Sequence, residues 1–445
     1  MQHADSIIEA RWLLPIVPKG VTLENQSVVV DKGRIAAVLP TEEARRLYKS
    51  ERVWSLPDSV VLPGFVNLHS HAPMNLLRGM GADLPLMDWL TKKIWPAEGK
   101  LMSAAFCREG ARLAGLEMAA SGVTTSSDMY FFPEDVALGL REAGLRCAVA
   151  AFIIGFPSAW AKDEAEYLKR MEEVLEKHQG DPFVRVTVGP HAPYTVGDEG
   201  LCAARALAEK YDAPIHMHVH ETSAEVEESL RRHGVRPLAR LERLGLVTDR
   251  LIAVHSVRLT DEEIEQLARA HASVCHCPSS NLKLASGFSP IAKCMAAGIN
   301  VGIGTDGAAS NDKLDMLGET RLAALLAKAV AGDTTAARVH DMLEAATLGG
   351  ARALHWDKEI GSIESGKAAD LIAVRLETLN ALPVEDPASQ LLYAADRSDV
   401  THAWVGGGLI MRRGETGPTF AAPAEAPADV ARRWQARLRG AEPLH

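Results

Sequence analysis

Eight short apolar runs recur through the middle of the chain, at 61–68, 122–128, 145–154, 184–191, 214–220, 250–255, 272–276 and 299–306. Between them lie amphipathic stretches such as 106–120, 165–177 and 261–270, where apolar residues return at helical spacing. Eight strand–helix repeats in about 300 residues predict a (β/α)8 barrel, a fold that usually needs ~250 residues or more. An open doubly wound sheet is the structural alternative. No Gly-x-Gly-x-x-Gly follows the first run, so a dinucleotide site is not expected.

The two chain ends read differently. Ser27-Val28-Val29-Val30, Asp31-Lys32-Gly33 and Arg34-Ile35-Ala36-Ala37-Val38 predict a hairpin with a glycine-bearing turn. Strand signals return at 369–374, 401–405 and 409–411, the last two separated by Gly406-Gly407-Gly408. The expected layout is a small β-sandwich domain from 1–60 plus 361–420, a barrel at 61–360 inserted into it, and a peripheral tail at 421–445. The tail is Ala/Pro-rich, with a short charged helix expected at 428–438.

Composition narrows the function classes. A hydrophobic content of 47% with 24% charged residues is ordinary for a globular protein, and the net charge of -10 argues against a partner such as nucleic acid or an anionic membrane. No apolar run approaches the ~20 residues that span a bilayer, and Met1-Gln2-His3-Ala4-Asp5 does not open a signal peptide. Six cysteines in 445 residues are no disulfide framework and suit a reducing cytoplasm.

The polar residues gather at one end of the runs. His69 and His71 close the first, Asp128 the second and His191 the fourth; His216, His218 and His220 lie in the fifth; His255, His276 and Asp306 end the remaining three. In a barrel all these ends meet at one mouth, where active sites are built. Residues i and i+2 of a strand share a face, so His69 and His71 can meet one ion. Imidazole with carboxylate suits one divalent transition metal, Zn2+ first and Fe2+ second. The third ligand comes from the fifth run, where spacing does not choose among His216, His218 and His220, and Asp306 is a candidate fourth. Such a set leaves room for water, whose pKa a metal lowers towards ~7. Glu221, just past the fifth run, has the chemistry of a general base that later acts as an acid. Cys275-His276-Cys277 lacks a second cysteine pair at finger-like spacing, so a thiolate–zinc site is not expected. Trp89, Trp95 and Trp160 can stack on a planar substrate or simply pack.

With these motifs the chain resembles the amidohydrolase superfamily. His69-Ser70-His71 is similar to its first-strand signature, and Gly366-Lys367-Ala368-Ala369-Asp370-Leu371 to its closing β-domain signature. His69 to Gly79, Gly189-Pro190-His191, His218 to Thr222, Ser279 to Leu284 and Gly304 to Asn311 resemble the 5′-methylthioadenosine/S-adenosylhomocysteine deaminase family. The resemblance implies hydrolytic deamination of a small-molecule nucleoside in a homo-oligomer. It assigns the metal to His69, His71, His218 and Asp306. Glu221 matches the residue that carries a proton from the attacking water to the purine ring nitrogen, and His255 the one that orients that water. Asp306 also matches the acceptor that passes a proton to the leaving ammonia. Glu98 matches a carboxylate on the ribose hydroxyls, and His191 a substrate contact. Histidine at the end of the fourth run, where two-metal relatives carry a lysine, favours a single metal. Relatives that accept S-adenosylhomocysteine can carry an arginine near the end of the third run. Ala148 to Gly155 has none, so the short methylthio tail is expected to be preferred. Other aromatic heterocycles such as guanine, 8-oxoguanine, a pterin or a chlorotriazine form the competing substrate class. A non-catalytic scaffold is the distant one.

Overall fold

The computed structural model describes residues 1–421 and 425–440. Eight parallel strands run in sequence order around one sheet: β1 (Phe65–Ser70), β2 (Val123–Asp128), β3 (Arg146–Ile153), β4 (Val184–Pro190), β5 (Ile215–Val219), β6 (Leu251–His255), β7 (Ser273–His276) and β8 (Asn300–Ile303). The sheet comes back on itself just past β8, where Asp306 N donates to His69 O at 2.9 Å and the Asn67 and Thr305 side chains bond at 2.8 Å. Gly304 is required at this seam, because a Cβ there would stand 2.8 Å from His69 N and 2.9 Å from Cys275 Sγ. The expected amphipathic stretches are helices Ala104–Ala120, Glu164–Lys177 and Asp261–Arg269. Each begins at a Ser, Asp or Thr whose side chain accepts from the backbone three residues on, which ends the preceding loop at a defined point.

Both chain ends build a second eight-stranded sheet. The expected hairpin is Leu23–Asp31 with Arg34–Pro40, turned through Lys32 and Gly33, both at positive φ, the backbone that a two-residue turn demands. Strand Leu371–Arg375 lies antiparallel to Val53–Pro63. The alternation of side chains splits this pair between two cores. Val61, Leu371 and Ala373 join the smaller cluster, while Val60, Leu62, Ile372 and Val374 pack into the main one. Asp370 ties the sheet to the barrel: its carboxylate accepts from Arg146 Nε at 2.7 Å at the start of β3, and its backbone oxygen from Gly64 N at 3.0 Å.

The structure corrects the first expected run. Residues 61–68 are not one strand. Val61, Leu62 and Pro63 finish a strand of the terminal sheet, and the barrel begins at Phe65. The break falls at Gly64, where any Cβ would overlap the Thr124 side chain at 2.1 Å.

The helix expected in the tail is Pro427–Arg439, and it is docked rather than loose. Val430 and Trp434 are buried, Trp434 Nε1 donates to Glu109 at 2.6 Å, and Lys100 Nζ reaches Leu438 O at 2.8 Å. Residues 422–424 and 441–445 of that tail lie outside the described residues. Among the described residues no helix is long and apolar enough to cross a membrane.

Candidate active site

Past the C-terminal ends of the strands the backbone is bent hard. His220, His255 and Asp306 all sit at positive φ (56°, 70° and 60°), a region that costs a non-glycine residue roughly 1–2 kcal/mol. Such strain concentrates at functional sites. Here it turns the chain out of the barrel immediately after the groups that face the mouth.

The imidazoles are oriented by what their Nδ1 atoms hold. His71 Nδ1–H donates to Met129 O at 2.5 Å, and His218 Nδ1–H to His191 O at 2.8 Å. His69 Nδ1 lies 2.9 Å from His216 Nε2, and His216 Nδ1 lies 3.4 Å from Ser127 Oγ. Donation from His69 to His216 therefore leaves the His69 Nε2 lone pair free, as for the other two rings. Burial pushes the pKa of His69 down to about 4 and that of His218 well below the usual range, so both are neutral, as a ligand must be.

The free atoms converge. His69 Nε2 is 3.3 Å from His218 Nε2 and 3.4 Å from Asp306 Oδ1, and His71 Nε2 is 3.3 Å from that same oxygen. A tetrahedron whose corners lie ~2.0–2.1 Å from its centre has edges of about 3.3–3.4 Å. These three spacings match edges of such a tetrahedron, and His218 reaches the group through His69. The gathering takes the form of two triads within 4.8 Å that share His69: one with His71 and Asp306, the other with His218 and His255. Asp306 Oδ2 accepts from Ser280 Oγ at 2.6 Å and Ser310 Oγ at 3.0 Å; Oδ1 accepts from Gly307 N at 2.7 Å and turns its second lone pair to the centre.

The three histidines of the fifth run go to different places. His216 and His218 both face the barrel interior, but His216 lies one layer deeper, behind His69. His220 leaves the strand and meets Leu238 N and Glu263, each at 3.2 Å, away from the centre. Cys275 and Cys277 lie 4.0 Å apart and belong to neither donor triad.

Around the centre lies a cavity of about 780 Å3, its mouth included. His71, His191, His218, Glu221, His255 and Asp306 face it on one side. Glu221 Oε2 is 3.9 Å from His255 Nε2, and burial raises the Glu221 pKa. His255 is held from behind, its Nδ1–H donating to Asn281 Oδ1 at 2.9 Å. Glu98 also lines the cavity; it is buried, and burial pushes its pKa up to about 7 despite the hydrogen bond from Tyr130. Phe152, at the end of β3, and Ile154 and Phe156 beyond it line the cavity with Trp89 and Trp95, the Trp95 ring standing edge-on to Phe156 at 5.7 Å. Trp160 packs on Tyr167 outside this lining. The sequence assigned no role to Tyr130, Ser280, Asn281 and Ser310. The last three lie in the quoted motifs at 279–284 and 304–311, and Tyr130 stands two residues past the end of β2.

A model of the amidohydrolase family matches residues 60–410. The chain is 41% identical over 408 residues to the 5-methylthioadenosine/S-adenosylhomocysteine deaminase of Teredinibacter turnerae, covering 92% of each. It is 40% identical over 405 residues to the 5′-deoxyadenosine deaminase of Methanopyrus kandleri, covering 90% of this chain and 93% of that one. An adenosine deaminase of Xanthomonas campestris, solved with bound zinc, superposes with a TM-score of 0.95 at 47% identity, covering 99% of both chains. On the match across most of its length and on the relatives it aligns with nearly end to end, the chain belongs to the amidohydrolase family.

Proposed function

We propose that the protein hydrolytically deaminates adenosine-type nucleosides, 5′-methylthioadenosine foremost, giving ammonia and the inosine analogue. One observation carries the reading: three imidazoles and one carboxylate converge in two donor triads that share His69, beside a buried acid, in a cavity lined by a second carboxylate. His69, His71, His218 and Asp306 hold one divalent metal, zinc by their donor chemistry. The metal, when bound, supplies the Lewis acid that makes water a nucleophile at neutral pH.

The residues of the chain do the rest. Glu221 takes a proton from the attacking water and gives it to the purine ring nitrogen, a transfer for which its raised pKa suits it. His255, fixed by Asn281, directs Nε2 at the water. Asp306 relays the second proton to the departing amino group, so one water is consumed and one ammonia is released. His191 contacts the base, and Glu98 accepts from the ribose hydroxyls. The apolar wall of Phe152, Ile154 and Phe156 takes the methylthio group. The cysteines of the chain are all free thiols, which fits a cytoplasmic setting.

Ammonia release measured across 5′-methylthioadenosine, adenosine, S-adenosylhomocysteine, adenine and guanine tests the reading. The highest kcat/KM should fall on 5′-methylthioadenosine, and Glu98→Ala should reduce nucleoside turnover far more than base turnover. A clear preference for S-adenosylhomocysteine overturns the assignment of the tail. Turnover of guanine alone overturns the substrate class.

A further inference from the structure

The chain leaving β2 does three things in succession. The Asp128 carboxylate accepts from Ala72 N at 2.5 Å and Ser70 Oγ at 2.8 Å, holding the turn that carries His71. Met129 O fixes the His71 ring. Tyr130 Oη then donates to Glu98 Oε1 at 2.5 Å, across to the helix Trp95–Leu101. Phe132 follows at φ 51°, where a bulky side chain is rare, so the segment is held in a shape that loop propensity alone does not produce.

The pairing is tight and nearly dry. Tyr130 is 4% and Glu98 9% exposed. Both line the cavity beside His71. Among the described residues Glu98 Oε2 has no hydrogen-bond partner, whereas Oε1 is taken. A buried carboxylate with one oxygen pinned and one open is a single acceptor of fixed direction. A free carboxylate would rotate and lose that direction.

We propose that Tyr130 is a specificity-determining residue. By donating to Glu98 Oε1 it sets the carboxylate plane so that Oε2 meets the vicinal hydroxyls of a ribose. It thereby selects ribonucleosides over free bases and deoxygenated sugars. The proposal rests on the nucleoside reading of the site and on Glu98 as the ribose contact. Packing does not need the hydroxyl, since phenylalanine would fill the same volume.

The test compares wild type and Tyr130→Phe on 5′-methylthioadenosine and on its 2′,3′-dideoxy counterpart, with zinc content measured alongside. Wild type should prefer the diol. Tyr130→Phe should lower kcat/KM on the diol about tenfold more than on the dideoxy compound, mainly through KM, as expected for one charge-assisted hydrogen bond. Zinc content should stay at the wild-type level. If wild type discriminates and Tyr130→Phe keeps that discrimination in full, or loses equally on both substrates, the Tyr130 proposal falls alone. If wild type itself does not distinguish diol from dideoxy, the ribose role of Glu98 falls and takes this proposal with it. Glu98→Ala, which should erase the discrimination, checks separately the ribose role on which the proposal rests.

Discussion

At the scale of single residues, the site is a set of rings aimed by their rear nitrogens. His216 is the least expected of these, because it holds His69 without touching the centre itself. His216→Leu should weaken zinc binding 10–100-fold, as loss of such supporting groups does, read by chelator competition. Unchanged affinity would show that packing alone orients His69. Glu221→Gln keeps size and loses the acid, so it should retain metal while turnover drops 10²- to 10⁴-fold; loss of metal would make Glu221 a ligand. Glu98 carries a pH prediction. Burial holds its pKa at about 7, against the Tyr130 hydrogen bond and the His71 charge, which favour the anion. On the proposed ribose contact, which needs the anion as acceptor, KM for the nucleoside should rise as pH falls through 7, and KM for the dideoxy compound should rise less. At this scale the sequence displayed the ligand types but not their roles. His216, His218 and His220 have identical spacing, and only the positive φ of His220 and the depth of His216 separate them. Tyr130 was hidden because its partner is 32 residues away in the chain.

Strands and helices were the more legible level. The strand periodicity and the helical spacing at 106–120, 165–177 and 261–270 survive in the structure because capping side chains and buried faces agree with them. The first run misled because Val61–Pro63 and Phe65–Ser70 are both buried, and continuous apolar sequence carries no mark of a change of sheet. Only the sterics of Gly64 against Thr124 do. The C-terminal helix shows the reverse. Its sequence shows a charged helix at the periphery and not its anchor: Trp434 packs on Phe106 and donates to Glu109. Trp434→Ala should cost about 3 kcal/mol, seen as an earlier denaturation midpoint. No shift would mean that the helix contributes nothing to the fold. Its neighbour is the helix of Glu98, through Lys100 and Leu438.

Taken as a whole, the molecule separates support from chemistry. The sheet made by both chain ends grips the start of β3 through Arg146 and Asp370. The opposite ends of the strands carry the bent backbone, the imidazoles and the cavity. The barrel and the inserted arrangement were readable from the order of runs, since strand-to-mouth geometry follows from the fold once eight repeats are counted. The shape of the cavity was not, because its wall is assembled from loops whose side chains meet only after folding. In the proposed function, one ion held by His69, His71, His218 and Asp306 is what makes this cavity reactive. Titration of zinc into chelator-stripped protein, with ammonia release from 5′-methylthioadenosine followed at each addition, tests it directly. Activity should return in proportion and level off at one zinc per chain. Full turnover in stripped protein, or a plateau only at two zinc ions per chain, would contradict it.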